Sequence, residues 1–169
     1  MKASDVIVRI TSELLQEVSG KEEHQLHEVR ALDLHLRGPN RGKIKRMESL
    51  LLVPNLAQLN LSYNLISKIE GLDRLVNLTE LNLAENSISR IEGIDHLKSL
   101  ERLNLSGNLI QRIPESISSL ISLVHFRIAR NKLDTLTDVR YLSKLAALKH
   151  LRLDENQILS DENAPLSVI

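Results

Sequence analysis

The chain has 169 residues, with 22 lysines and arginines against 22 acidic residues, no cysteine and only 2% aromatic residues. The balanced charge excludes a global attraction to nucleic acid or an anionic membrane, and the few aromatics argue against base-stacking platforms. A chain without cysteine has no disulfide framework, which favours the cytoplasm or nucleus. No stretch approaches the roughly 20 apolar residues of a membrane span, and the length fits one domain.

Residues 1–28 are predicted to form a helical N-terminal cap. Thr11 is suited to the N-cap of a helix, and Gly20 is placed to end it. Leu14, Leu15 and Val18 fall on one face of that helix. The end unit of a stacked repeat needs such a cover over its open core.

Residues 29–55 form an irregular first repeat. Val29, Leu32 and Leu34 open the pattern L-x-x-L-x-L, but Arg37 stands where the later units have asparagine. The next unit begins 27 residues further on, and the excess lies in the basic segment RGPNRGKIKR, from Arg37 to Arg46, which is rich in turn-forming residues. We expect a solvated loop there, with contact to phosphates or to an acidic tail as the alternative.

The repeat becomes regular from Leu56. Units at 56–77, 78–99 and 100–122 share the pattern L-x-x-L-x-L-x-x-N-x-L/I and begin 22 residues apart. A period of about 20–29 residues with this pattern is the signature of a leucine-rich repeat. The predicted fold is therefore an α/β leucine-rich repeat solenoid, with a curved parallel sheet on the concave face and short helical or irregular segments on the convex side. Each unit buries its apolar positions only by stacking on its neighbours.

Two further units follow. Residues 123–147 form a longer repeat in which Phe126 replaces the second leucine, and residues 148–169 open a sixth repeat that lacks a back half. Leu151, Leu153 and Ile158 are therefore expected to be partly exposed, which favours self-association through this end. The alternative is that the tail DENAPLSVI folds back and covers the core.

An asparagine recurs at the ninth position of five units. These residues are Asn64, Asn86, Asn108, Asn131 and Asn156. We expect their amides to bond to backbone groups that the turn would otherwise bury unpaired, at about 1–3 kcal/mol for each rung. The asparagines are therefore interpreted as structural.

Candidate binding residues are the side chains that the core does not use. Third, fifth and seventh positions of a unit face the concave side, because side chains alternate along a strand. The predicted partner-binding set has an exposed aromatic at one end and cations at the other: Tyr63, Glu80, Arg102, His125, Arg127, Arg130, His150 and Arg152. Small residues, Ser62, Ala84 and Ser106, are expected to allow close approach. Arginine presents a bidentate fork to carboxylates, so the predicted partner is a protein with an acidic segment; ordinary solvated surface charges are the alternative.

Catalytic and metal-binding patterns are missing from the sequence. It has no cysteine nucleophile, no P-loop and no G-x-S-x-G elbow, so we predict a non-enzymatic protein without a cofactor. His125 and His150 stand at equivalent positions of successive repeats, which predicts side chains about 5 Å apart. Two imidazoles without a further ligand make a weak metal site, and we interpret them as groove histidines.

The repeats KIEGLDRL and RIEGIDHL resemble those of an intracellular class that includes the repeat regulator of protein phosphatase 1, the axonemal dynein light chain with leucine-rich repeats and the spliceosomal A-prime protein. The order of ITSELLQEV, LDLHL with RGPNRGKIKRM, and LNLSYNLISKIEGLDRL is similar to the repeat head of centriolin and related centrosomal or ciliary proteins. That resemblance implies a cytoskeletal scaffold in the cytoplasm.

Two classes of function fit these observations. The favoured prediction is an adaptor that binds a protein at a centrosome, a cilium, an axoneme or another cytoskeletal structure. The alternative is a regulatory subunit that docks on an enzyme such as protein phosphatase 1. A nucleic-acid role, direct or through a partner as in the spliceosomal protein, comes third.

Overall fold

Each predicted repeat contributes one three-residue strand to a single parallel sheet. The computed structural model describes residues 6–35 and 42–159. In chain order its strands are β1 (Ile7–Val8), β2 (Ala31–Asp33), β3 (Lys43–Ile44), β4 (Gln58–Asn60), β5 (Glu80–Asn82), β6 (Arg102–Asn104), β7 (His125–Arg127) and β8 (His150–Arg152). Strands β2, β4, β5, β6, β7 and β8 are hydrogen-bonded neighbours in that order.

The register of the sheet follows the repeat. Leu59 pairs with Leu81, and Leu81 pairs with Leu103, so side chains at the same position of each unit form columns across the strands. This confirms the predicted parallel ladder. The chain folds as a leucine-rich repeat solenoid, and the class of fold predicted from the 22-residue period is correct.

The core is a continuous stack of the apolar positions of the units. In repeats 56–77 and 78–99 the leucines and isoleucines at unit positions 1, 4, 6, 11, 14, 17 and 20 are all buried. Between the strands of the main sheet the chain returns through turns and through short 3-10 helices at Leu50–Leu52, Glu115–Ser119 and Leu136–Lys144. Two further 3-10 helices flank the sheet, Glu23–Glu28 before β2 and Gln157–Leu159 after β8. Burial on both sides of each unit explains why the units are stable only as a stack.

The N-terminal cap is the helix α1, Ser12–Ser19. The Leu14 N–H donates to the Thr11 hydroxyl at 3.3 Å, and the Gly20 N–H donates to the Gln16 carbonyl at 2.8 Å. Gly20 adopts φ 66°, a left-handed conformation that glycine reaches without strain. Leu15 is fully buried, but Val18 is 40% exposed at the margin of the concave face. The buried face of helix α1 is therefore narrower than predicted.

The first repeat is more ordered than the sequence predicted. Ile44 lies 22 residues before Ile66, occupies the same position of its unit and is fully buried. Strand β3 pairs in parallel with β1, and the Lys43 N–H donates to the Val6 carbonyl at 2.7 Å. The prediction of a solvated loop from Arg37 to Arg46 is therefore wrong for Lys43 and Ile44, whereas Lys45 and Arg46 are exposed as predicted. Arg37 and residues up to 41 lie outside the described part.

The asparagine ladder is confirmed in detail. The Asn108 Nδ2 donates to the carbonyls of Leu83 and Leu105, both at 3.0 Å, and its Oδ1 accepts the Ile88 N–H at 2.9 Å. Equivalent bonds surround Asn64, Asn86, Asn131 and Asn156. No buried side-chain nitrogen or oxygen in the described ranges lacks a hydrogen-bond partner.

The sixth repeat ends the sheet with an exposed strand. All three residues of β8 are exposed, including Leu151, and Leu153 is half-buried, as predicted. Ile158 is only 4% exposed, and its N–H donates to the Leu133 carbonyl at 3.0 Å. The expected exposure of Ile158 is therefore wrong. The tail at 161–169 lies outside the described residues.

Candidate protein-binding groove on the concave face

A shallow groove of about 650 Å³ runs across the strands on the concave face. Its lining comes mainly from the third and fifth positions of the units, because these side chains point away from the core. Third positions contribute Ala31, Gln58, Glu80, Arg102 and His125, and fifth positions contribute Asp33, Asn60, Asn82, Asn104 and Arg127. A rigid sheet holds both columns at the spacing of parallel strands, about 4.8 Å.

The fifth-position asparagines are held in one orientation by the backbone. The oxygens of Asn60, Asn82 and Asn104 accept the backbone N–H two residues further along the chain, at 3.2, 3.1 and 3.1 Å. A backbone N–H can only donate, so the atom that faces it is the amide oxygen. The NH₂ group of each side chain is thereby directed away from this turn.

Most of the predicted cations pair with carboxylates of the same chain. Arg102 binds Glu80 at 2.5 Å, and Arg152 binds Asp154 through Nε at 3.2 Å and Nη2 at 3.3 Å. The predicted positive field at this end of the groove is therefore weaker than the sequence suggests. Within residues 6–35 and 42–159, exposed Arg127 has no ion-pair partner.

One ion pair crosses a whole repeat at the rim. Arg130 Nη2 binds the Glu85 carboxylate, although Gly107 occupies the intervening unit at the same position. A Cβ on Gly107 would lie 2.6 Å from the Glu85 oxygen, so the absence of a side chain there opens the path between the two charges. Arg130 is consequently part of a rim bridge.

The two groove histidines stack on each other. The rings of His125 and His150 lie 4.3 Å apart and are 5° from parallel, close to the predicted separation. Partial burial lowers the pKa of His125 below its ordinary value, and the neighbouring His150, Arg102 and Arg127 lower it further. These surroundings therefore favour the neutral form of the His125 imidazole. Among the described residues, no group of three or more histidines or acids could hold a metal ion.

Tyr63 lies at the rim of the groove, in the repeat that contributes β4. Tyr63 lines the part of the concave face next to the seventh and eighth positions of the units. The residue is 37% exposed, in agreement with the prediction of an exposed aromatic. Lys43 Nζ donates to the Tyr63 carbonyl at 2.5 Å, so Lys43 is anchored to the repeat stack. Ser62 and Ala84 are buried and Ser106 is half-buried, and all three are among the residues that line this part of the concave face; the close approach expected at these small residues stays a prediction.

The structure thus places the predicted residues in two groups. Glu80, Arg102, His125 and Arg127 line the groove, with His150 stacked at the end. Rim positions hold Tyr63 and Arg130, and Arg152 continues the fifth-position column on β8. Sequence reasoning missed the role of Glu85, which stands at the same position of its unit as Tyr63 and could have been found by comparing that column.

Comparisons with known proteins agree with the fold. Residues 54–98 match the family model Leucine Rich repeats (2 copies), and residues 99–120 match the model Leucine Rich Repeat. No curated protein matches the chain.

Solved structures with the same fold are longer. An internalin from Listeria monocytogenes superposes with a TM-score of 0.74 and 24% identity over 87% of this chain and 43% of that one. A leucine-rich repeat protein of Leptospira interrogans gives 0.70 and 26% over 89% and 35%. TLR13, solved as a complex with ssRNA13, gives 0.62 and 30% over 70% and 18%. This chain spans less than half the length of each of these structures.

The repeats are leucine-rich repeats, and domains built from them generally mediate protein–protein interaction. No helix in the described part of the chain is long and apolar enough to cross a membrane. The groove presents hydrogen-bond donors and charges on a rigid surface, as binding modules do. Nothing in the groove points to catalysis.

Proposed function

We propose that this protein is a non-enzymatic scaffold that binds a partner protein in the concave groove, with an acidic segment of the partner at the end formed by β7 and β8. The observation that carries the proposal is Arg127. Its guanidinium is exposed, whereas Arg102, Arg130 and Arg152 are already paired with carboxylates of this chain. An arginine offers a planar pair of donors that fits a carboxylate.

The groove also favours binding at low entropic cost. Its donors stand on strands whose hydrogen-bonded register fixes them before a partner arrives, so little conformational freedom is lost on association. The Tyr63 ring at the rim adds an aromatic surface of the kind that often anchors interfaces.

The test compares partner capture by the wild-type chain and by the double variant Arg127→Glu with Arg152→Glu. We expect the variant to lose most of its binding while its thermal midpoint stays unchanged, because both side chains are solvent-exposed. The matched control is Lys68→Glu with Arg90→Glu, which makes the same change in charge at exposed positions that do not line the groove. Normal binding by the first variant would refute the proposed site.

The cellular setting follows from the sequence resemblance. We propose a cytoplasmic scaffold at a centrosome, a cilium or another cytoskeletal structure, as implied by the likeness to the centriolin head. Proximity labelling with the intact domain tests this: enrichment of centrosomal or axonemal proteins supports it, and enrichment of phosphatase catalytic subunits instead would favour a regulatory subunit of protein phosphatase 1. Self-association through the exposed strand β8 is a further proposal, which light scattering tests directly.

A further inference from the structure

The fifth-position column of the groove presents a hydrogen-bond donor on each of four consecutive strands. Asn60 pairs in register with Asn82, Asn82 with Asn104, and Asn104 with Arg127. The column is bounded on one side by Asp33, whose Oδ1 accepts from His35 at 2.6 Å, and on the other by Arg152, which Asp154 holds. The chemistry of the groove floor therefore changes from acceptor to donor after β2.

The donor character is imposed by the fold. Because each asparagine oxygen accepts a backbone N–H, rotation of the amide would set NH₂ against N–H and lose that bond. None of the three Nδ2 atoms donates to another group in the described ranges, and the three side chains are half-buried on the groove floor. Each NH₂ group is thus a fixed donor that a ligand can use.

The third-position column does not oppose this pattern. The Glu80 carboxylate, which lines the groove from the third position of β5, is bound to Arg102 at 2.5 Å. His125, at the third position beside Arg127, carries no negative charge in either protonation state. Among the groove-lining residues of β5, β6 and β7, an acceptor-rich ligand therefore meets no unpaired carboxylate.

We infer that the row Asn60, Asn82, Asn104 and Arg127 holds an extended acidic segment of a partner protein that runs across the strands. The inference rests on the function proposed above and names the partner chemistry. Four donors span three strand spacings, about 14 Å, which an extended peptide covers with roughly four residues. Side chains of an extended segment recur on one side about every 6.8 Å, not every 4.8 Å, so flexible carboxylates rather than a rigid backbone register supply the acceptors.

RNA is the competing occupant, because phosphates are also acceptors and TLR13 is solved with ssRNA13. The third- and fifth-position residues that form the groove floor between β2 and β7 include no phenylalanine, tyrosine or tryptophan, and Tyr63 lies at the rim. Single-stranded nucleic acids bind mainly through stacking on aromatics and a strongly positive groove. Three of the four donors here are neutral, which favours a peptide.

The experiment measures fluorescence anisotropy with three labelled probes. The first is an eight-residue peptide with four consecutive glutamates between glycine and serine ends, the second replaces the glutamates by glutamine, and the third is an eight-nucleotide oligouridylate. We expect the glutamate peptide to bind the wild-type chain most tightly. Failure of that peptide to bind at up to about 1 mM, a threshold for weak association, or tighter binding of the oligouridylate, would overturn the inference.

Two variants distinguish the loss of a donor in the row from the effect of added negative charge alone. Asn82→Asp keeps the oxygen that accepts the Ala84 N–H but replaces the NH₂ donor by an acceptor. We expect it to lower the affinity for the glutamate peptide by about tenfold or more. Gln58→Glu adds the same charge in the third-position column, outside the row, and should weaken it by less than about threefold. Asn104→Asp repeats the test if the first variant does not fold. If an asparagine-to-aspartate variant in the row and Gln58→Glu weakened binding of the glutamate peptide equally, the inferred role of the donor row would be wrong.

Failure of this inference and failure of the proposed function give different results. If Asn82→Asp matches Gln58→Glu while Arg127→Glu with Arg152→Glu still abolishes capture of the natural partner, the groove binds its partner through the cationic end alone. If that double variant also captures the partner normally, the groove itself is not the binding surface.

Discussion

Replacing Asn108 by alanine should destabilise the protein by about 1–3 kcal/mol, the cost of a buried backbone group left without a partner. The figure follows from the bonds that disappear. Asn108 Oδ1 is the acceptor of the Ile88 N–H at 2.9 Å, and Ile88 is fully buried. The carbonyls of Leu83 and Leu105 each keep a second asparagine donor, from Asn86 at 3.1 Å and Asn131 at 2.9 Å, so the Ile88 N–H carries most of the loss.

Asn108→Asp is a sharper version of the same test. Aspartate keeps the acceptor for the Ile88 N–H but sets a carboxylate oxygen against the carbonyls of Leu83 and Leu105, so we expect a loss of about 3–5 kcal/mol, typical of an uncompensated buried charge. The introduced carboxyl should have a folded-state pKa above its ordinary value of about 3.9. Below that value both states are protonated and the cost is smallest; it grows as pH rises towards the folded pKa.

Urea unfolding followed by far-ultraviolet circular dichroism measures both variants at pH 7.5 and pH 4.5 against the wild type. The matched control is Asn82→Ala, which removes an acceptor from the half-buried groove floor and should cost less than about 1 kcal/mol. A stability of Asn108→Ala equal to that of the control would refute the ladder argument. So would an aspartate variant that is more stable than the alanine variant at pH 7.5.

Two further predictions concern the core and the histidine pair. Leu81→Ala should cost about 2–5 kcal/mol, because repeats on both sides wall the resulting cavity; an unchanged urea midpoint would contradict burial there. His125→Gln should reduce the loss of stability on acidification. The folded pKa of His125 lies below its ordinary 6.5, so the unfolded chain takes up the proton first and stability falls as pH drops from 6.5 towards the folded pKa. Parallel urea titrations at pH 7.5, 6.0 and 5.0 measure the difference, and identical curves for wild type and variant would contradict it.

The parts of the structure that repeat every 22 residues could be predicted from the sequence. Leu59 pairs with Leu81, and Leu81 with Leu103, because the units 56–77 and 78–99 each have 22 residues. The buried asparagines follow from the same regularity, since each one meets the backbone of its neighbour in the same way. Periodicity makes one local solution valid for all units.

Contacts that occur in one repeat and not in the others could not be predicted from the 22-residue period. The pair of Glu85 and Arg130 joins residues 45 positions apart in the sequence and exists because Gly107 has no side chain. The short sheet of β1 and β3 joins Val8 to Ile44 across the cap. A column of cations read from the sequence therefore overstates the free charge, because it does not show which carboxylates lie near each guanidinium.

The two columns of asparagine show why the residue type alone does not reveal its role. At the ninth position Asn86 uses both ends of its amide, since its Oδ1 accepts the Ile66 N–H and its Nδ2 donates to the Leu61 and Leu83 carbonyls. At the fifth position Asn82 uses its oxygen alone. The first is consumed by the fold, whereas the second is oriented by the fold and keeps a donor in the groove. The strand that ends between them turns one amide inward and the other outward, so the same repeat that stabilises the solenoid also builds the surface that we propose as the partner-binding site.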